Sequence, residues 1–305
     1  MYDLVIIGGG PGGVAAGVYA ARKKIKTVLI AESFGGQSLV SADVQNWIGT
    51  KSVSGFDLGK MLEEHLRVQG GLDIVDGDLV EEVSRAGENF KVRTKNGKIF
   101  ETKYLLVASG SRRRKLGIPG EKEFDGKGVF YCSTCDAPLM GEKTVAVIGS
   151  GNAGLEAALD LIPYAKKIYL IERSGEIKGD PITFEKIKAS GKVEVILGAE
   201  TQEITGKDFA SGLTYKDTRT GGKKELALDG IFVEIGAIPN SDFLDGLVEL
   251  NTFKEIVVDH KTQQASSPGI WAVGDVSDVL YKQNNISAGD AIKAILNIYE
   301  KLSKH

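Results

Sequence analysis

Asp3-Leu4-Val5-Ile6-Ile7-Gly8-Gly9-Gly10-Pro11-Gly12-Gly13 is the stretch that decides the fold. An apolar run from Leu4 to Ile7 with no polar break reads as a strand covered on both faces. The glycines read as a sharp turn. The small residues from Val14 to Ala21 then read as a helix that packs close to its strand, and a second strand covers Thr27 to Ile30. A strand, a glycine loop, a helix and a strand in that order open a doubly wound parallel sheet. In that arrangement Gly8 makes the tight turn, Gly10, before Pro11, lets the backbone approach a pyrophosphate, and Gly13 allows close helix packing. The free N–H groups at the helix N-terminus face the phosphate. Glu32, roughly 20 residues beyond Gly13, stands where an acidic side chain holds ribose hydroxyls. A lone glycine motif is weak; this one has the flanking strand, helix and acid that confirm it.

The plan recurs. Thr144 to Ile148 leads into Gly149-Ser150-Gly151-Asn152-Ala153-Gly154, a helix runs to about Leu161, and Ile168 to Ile171 forms the next strand. Glu172 again follows its loop at the ribose spacing, suiting a free 2′-hydroxyl and repelling a 2′-phosphate. Arg173 beside it reads two ways, as a phosphate ligand or as a solvated surface charge. Each copy continues into a hairpin-rich stretch, turning at Asn96-Gly97 and at Gly221-Gly222. Each stretch closes on an apolar strand running into glycine, Tyr104 to Gly110 and Ile231 to Gly236. The strand Ile270 to Val273 and a helix from about Ile286 to Leu302 have no counterpart in the second copy and are assigned back to the first. The expected class is α/β, with two Rossmann-like, three-layer ββα dinucleotide-binding domains, the second inserted into the first. The expected domains are residues 1–113 with 243–305, and residues 114–242, with hinges near Arg112–Lys115 and Pro239–Asp242.

The bulk properties narrow the class further. With 305 residues and a formal net charge of -3, the chain shows no polyanion-binding balance, so no nucleic-acid partner is expected. No apolar run is long enough to span a bilayer, and the first strand begins without a secretory leader, so the expected location is the cytoplasm. Cys132 and Cys135 are its 2 cysteines. A tetrahedral zinc site needs four ligands, and His65, His260 and His305 show no paired spacing, so no metal is expected. A dithiol two residues apart depresses one thiol's pKa and favours thiol–disulfide exchange. Asp136 follows at once, placed to act as an acid–base for the thiolate, although a helix cap or a surface site is the commoner fate of an aspartate.

These motifs together resemble the low-molecular-weight thioredoxin reductases along the whole chain. Cys132-Ser133-Thr134-Cys135-Asp136 lies just before the second glycine loop, as in that family. Gly35-Gly36-Gln37 resembles its GGQ turn, Gln45-Asn46-Trp47 its ENW segment and Ala108-Ser109-Gly110 its ATG strand end. Gly236 with Pro239-Asn240 resembles GxxPN, Gly274-Asp275 matches the GD motif, and Tyr281-Lys282-Gln283 resembles the segment opening the last helix. The resemblance implies FAD held by these positions, among them Gln37, Asn46, Asp275 and Gln283. It also implies that Cys135 sits against the flavin, that Cys132 attacks the partner disulfide, and that Asp136 moves the proton. NADPH-dependent members carry HRRxxxR after the second strand, whereas this chain has Glu172-Arg173-Ser174-Gly175-Glu176-Ile177-Lys178. In this region the chain is similar to the flavoprotein subunit of alkyl hydroperoxide reductase, which uses NADH and carries an N-terminal pair of thioredoxin-like folds. Here the chain opens on the FAD strand, so any such domain is expected to be a separate protein.

The expected function is electron transfer from NADH, preferred over NADPH, through FAD and the cysteine pair. The acceptor would be a thioredoxin-like or glutaredoxin-like disulfide protein, or a peroxiredoxin partner, and the enzyme a homodimer. Two rivals stand beside it. One is a disulfide reductase fed by a donor such as ferredoxin, with a vestigial second loop; the other is a flavin-binding redox sensor.

Overall fold

A strand that hydrogen-bonds on both edges and is covered on both faces must be apolar throughout, and Leu4 to Ile7 are almost fully buried. The computed structural model, which describes residues 1–41 and 44–304, places Tyr2–Ile7 in the middle of a sheet. It pairs in parallel with Thr27–Ala31 on one side and with Ile99–Val107 on the other, Leu4 lying opposite Thr27 and Tyr104. Among the described residues this sheet has nine strands. The main path runs Val258–Asp259, Gln264–Ala265, Ile270–Ala272, Ile99–Val107, Tyr2–Ile7, Thr27–Ala31, Asp73–Asp76. Val80–Ala86 and Asn89–Thr94 add an antiparallel meander to Ile99–Val107.

Helix Pro11–Arg22 covers one face of the sheet, and helix Asn284–Leu302 packs beside it. Ser287 explains how closely they approach: a Cβ on Gly12 or on Gly274 would meet its hydroxyl. Trp271, fully buried, stacks edge-on against Tyr104 at 5.3 Å between ring centres and donates its indole N–H to Asn297 at 3.1 Å. These contacts tie the C-terminal segment to the N-terminal sheet.

The chain divides into two compact units, the first made of Met1–Leu39, Val44–Arg112 and the residues from Ile238 onward, the second spanning Arg113–Ala237. The second unit repeats the plan of the first. Its parallel sheet runs Val193–Leu197, Lys167–Glu172, Thr144–Ile148, Gly230–Val233, Val129–Phe130. Helix Asn152–Leu161 lies against it, and Ala199–Gly206, Ala210–Asp217 and Lys223–Ala227 form an antiparallel meander. The two chain crossings pair side by side as a short ribbon, Ser111–Arg113 with Ala237–Pro239. Ile238–Asp242, expected from the sequence in the second domain, therefore belong with the first unit. Asn240 accounts for the difference, because its backbone N–H bonds to the Gly110 carbonyl and its side chain to the Ser109 carbonyl, both at 2.9 Å.

Candidate active site

The two glycine loops are built alike, and the space around each glycine divides their tasks. Gly8 and Gly149 have φ of +116° and +109°, a region open to glycine, and a Cβ on either would strike the neighbouring strand's backbone at Ala108 and Glu234 respectively. A Cβ on Gly13 would collide with the Gly8 carbonyl, and one on Gly154 with the Gly149 carbonyl, so these two set the helix-to-strand approach. The middle glycines differ. A Cβ on Gly10 would find only the Gly36 Cα, at 3.9 Å, and one on Gly151 nothing within 4 Å. Each loop thus keeps an open face at a helix N-terminus, with no side chain of the described residues within 4 Å of the added Cβ. The first-turn N–H groups there have no carbonyl within the helix to bond. A pyrophosphate fits both loops.

In the first unit the remaining sequence-predicted residues gather around the N-terminus of Asn284–Leu302. Gln37 donates to the Ser111 carbonyl at 2.8 Å, and Ser111 Oγ donates to Asp275 at 3.4 Å. Asn46 donates to Gln283 at 3.3 Å, while Asn284 and Asn285 reach back to Ser38 Oγ and the Asn46 carbonyl. Gly35 and Gly36 form the turn that faces Gly10 and Pro11, and Glu32 at the end of Thr27–Ala31 is exposed. Gln37, Asn46, Asp275 and Gln283 are therefore brought together, whereas Lys282 is not free to join them. Its ammonium bonds Glu255 at 2.9 Å and the Ser277 carbonyl at 2.5 Å, bracing the Gly274–Asp275 turn from behind.

In the second unit the segment after the second strand folds back onto the glycine loop. Glu172, 5 % exposed, accepts from both the N–H and the hydroxyl of Ser150 through one oxygen and of Ser174 through the other, at 2.7 to 3.1 Å. Burial opposes its charge, but those four bonds prevail and hold the carboxyl down at about 2. Lys178 lies 3.4 Å from the same carboxylate, and Asn152 accepts from the Asp180 N–H at 2.8 Å. Arg173 is exposed. The acid expected at the ribose is present, fixed and ionised, and the remaining lysine of the segment is paired with it.

Cys132 and Cys135 form a disulfide across the first turn of Ser133–Asp136, with Cα atoms 5.4 Å apart. Asp136, 4 % exposed, has one carboxylate oxygen with no hydrogen-bond partner, and burial raises its pKa to about 7. A carboxyl that changes charge near neutrality, one residue from the disulfide, is suited to take and return a proton. No sequence motif marks the residues that hold this loop. Asp160, on Asn152–Leu161, accepts from Ser133 Oγ at 2.8 Å and Thr134 Oγ1 at 3.3 Å. Tyr131 donates to the buried Glu121 at 3.0 Å, which also accepts from the N–H groups of Leu116 and Gly117. Among the described residues no His, Cys, Asp and Glu cluster could hold a metal ion; His305 lies outside them. Among the described residues no helix is long and apolar enough to cross a membrane.

Comparison with known proteins agrees with this geometry. The pyridine nucleotide-disulphide oxidoreductase family model matches residues 2–292. A subunit of alkyl hydroperoxide reductase in Pseudomonas putida is 42% identical over 304 residues, covering 99% of this chain and 58% of that protein. An NADH dehydrogenase from Bacillus subtilis is 38% identical over 304 residues, covering 100% and 59%. The chain thus spans about three fifths of the length of these relatives. Among solved structures, thioredoxin reductase from Streptococcus pyogenes superposes with a TM-score of 0.92 at 29% identity, covering 100% of this chain and 99% of that one. Thioredoxin reductase from Giardia duodenalis gives 0.91 at 28% identity, with 99% of each chain covered.

Proposed function

The chain belongs to the pyridine nucleotide-disulphide oxidoreductases, an FAD-dependent family of disulfide-reducing enzymes, and from that premise we propose that it reduces a small disulfide protein with electrons from NADH. The first unit would be the FAD-binding domain and the second the nicotinamide-nucleotide domain. The observation that carries the proposal is the closed Cys132–Cys135 pair followed by a buried carboxyl poised near neutrality, in the unit that also holds a second open glycine loop.

Bound FAD would relay to the disulfide the two electrons of the nicotinamide hydride. The protein's own groups do the rest. Gly10 and the N-terminus of Pro11–Arg22 would take the pyrophosphate, Glu32 the ribose, and Gln37, Asn46, Asp275 and Gln283 the flavin side. Gly151 and the N-terminus of Asn152–Leu161 would take the nicotinamide nucleotide. Glu172 presents a fixed, buried negative charge there, held by Ser150 and Ser174, which opposes a 2′-phosphate. Asp136 would receive a proton while one cysteine attacks the acceptor disulfide and return it as the dithiol re-forms. The resemblance assigns that attack to Cys132 and the flavin-facing position to Cys135. The acceptor would be a thioredoxin-like, glutaredoxin-like or peroxiredoxin disulfide protein and the enzyme a homodimer, as the resemblance implies; neighbours named thioredoxin reductase support a thioredoxin-like acceptor.

The test is an anaerobic stopped-flow record of flavin absorbance with NADH and NADPH in parallel, followed by thiol counting. Rapid bleaching with NADH and two new thiols per chain are expected. Bleaching by neither nucleotide would transfer the proposal to a ferredoxin-like donor, and bleaching without new thiols would end it.

A further inference from the structure

The dithiol loop rests on a second buried carboxyl that no motif announces. Glu234 follows the strand Gly230–Val233, is 8 % exposed, and lies where that strand runs parallel beside Val129–Phe130, the segment leading into Cys132, with the Ser133 N–H turned toward its carboxylate. Its own N–H bonds the Ile148 carbonyl at 2.9 Å, and its carbonyl faces Gly149, the first glycine of the nucleotide loop. One residue thus touches both the glycine loop and the disulfide loop of this unit. The groups that face its side chain are Arg113 from the crossing strand, the Ser133 N–H, and Asp160 and Glu156 from the helix Asn152–Leu161. Asp160 itself grips the Ser133 and Thr134 hydroxyls. Asp136 completes the charged groups around the loop, and its pKa is raised by burial alone.

We propose that Glu234 is a positioning residue of the redox pair, holding the Cys132–Ser133 peptide through the Ser133 N–H and taking up a proton whenever the Cys132–Cys135 bond is reduced. This rests on the pair being redox-active, and not on which donor reduces it. Two electrons break the Sγ–Sγ bond; one sulfur takes a proton and becomes a thiol, the other remains a thiolate. The new negative charge beside the loop makes the Glu234 carboxylate bind a second proton from solvent. Reoxidation by a disulfide, which accepts the electron pair, releases both protons. Burial lifts this carboxyl to about 7 in the oxidised protein despite the opposing Arg113, so the exchange falls in the neutral range.

The experiment equilibrates FAD-loaded protein with mixtures of reduced and oxidised dithiothreitol from about pH 6 to about pH 8.5 and counts alkylated cysteines. Wild type is compared with Glu234→Gln, whose carboxamide oxygen can still accept from Ser133 N–H but cannot titrate. When Glu234 is neutral in both redox states the two reduction constants keep a fixed ratio. As pH rises through the carboxyl's titration, reduction of wild type becomes harder relative to Glu234→Gln, by at least about threefold across the range. Parallel profiles would overturn the proposal, because a purely structural role predicts a constant offset. If the Gln variant does not fold, infrared difference spectra of reduction are recorded on Asp136→Asn protein, which removes the other buried carboxyl of the loop. A protonated-carboxyl band gained on reduction supports the proposal, and its absence overturns it. A disulfide that fails to reduce in either protein overturns this reading and the proposed function together.

Discussion

Replacing Gly10 by valine should empty the flavin site and leave the fold standing. Gly10 caps the helix Pro11–Arg22 with φ -72° and ψ -178°, an extended conformation any residue adopts, and an added Cβ meets only the Gly36 Cα at 3.9 Å. The side chain would therefore occupy the open face of the loop and hold a pyrophosphate away from the first-turn N–H groups. Two hydrogen bonds to an anion are then lost, each worth about 1.5–3 kcal/mol, so FAD affinity should fall by about 3–6 kcal/mol, on the order of 10²–10⁴ in Kd. The assay is flavin absorbance per chain after purification, then fluorescence titration of stripped protein with FAD, alongside circular dichroism and a urea unfolding curve. Gly13→Ala is the contrasting control, since its Cβ would collide with the Gly8 carbonyl and disturb the helix itself. Native FAD affinity in Gly10→Val would refute the placement of the pyrophosphate. A non-cooperative unfolding curve would refute the claim that this glycine is required by the ligand and not by the chain.

At the second loop, Gly151→Val should spare FAD content and abolish flavin reduction by NADH in a stopped-flow record, because no protein atom lies within 4 Å of the added Cβ. NADH should exceed NADPH by about 3 kcal/mol, on the order of 100-fold in kcat/KM, since Glu172 is ionised and Lys178 is paired with it. A steady-state preference for NADPH would end that reading. Cys132→Ser should leave Cys135 as a thiolate with a long-wavelength charge-transfer band against the flavin, and the band appearing in Cys135→Ser instead would exchange their roles. For Asp136 the folded pKa of about 7 lies above the unfolded 3.8, so its stabilising protonation is complete below the lower value and lost as pH rises through the upper one. Urea denaturation should thus show Asp136→Asn gaining about 4 kcal/mol over wild type between about pH 4 and about pH 8. Equal pH slopes for the two proteins would show that the carboxyl ionises freely in place.

The two parallel sheets are legible because their central strands, Leu4 to Ile7 and Val145 to Ile148, are unbroken apolar runs that end in glycine. The cysteine pair is equally plain, since a spacing of two residues is local. What escapes depends on side chains meeting across long stretches of chain. Glu172 reads as a group pointed at a ribose, yet Ser150 and Ser174 enclose it, a pairing that no periodicity encodes. Lys282 lies in a motif-like segment but answers Glu255 from an unrelated loop. Glu234 sits at the end of a strand whose neighbours are apolar, and only the fold brings it to Ser133. The return crossing misleads for a similar reason. Pro239–Asp242 reads as a hinge closing the second domain, whereas Asn240 is bound to Ser109 and Gly110 of the outgoing segment.

The paired crossings have a consequence for how the chain reaches its native state. Arg114 donates to the Gly236 carbonyl at 3.0 Å, so the second unit begins and ends at almost the same point. While Arg113–Ala237 is unfolded, it is a flexible insert of about 125 residues that the first unit must close around. Once folded, it presents adjacent ends and acts on its host like a tight loop of a few residues. Because closure entropy grows with the logarithm of loop length, that change lowers the cost of assembling the discontinuous sheet by about 3 kcal/mol. Arg113–Ala237 is therefore expected to fold first, templating the host into which it is spliced. Pulsed hydrogen exchange during refolding should find Thr144–Ile148 protected ahead of Ile270–Ala272.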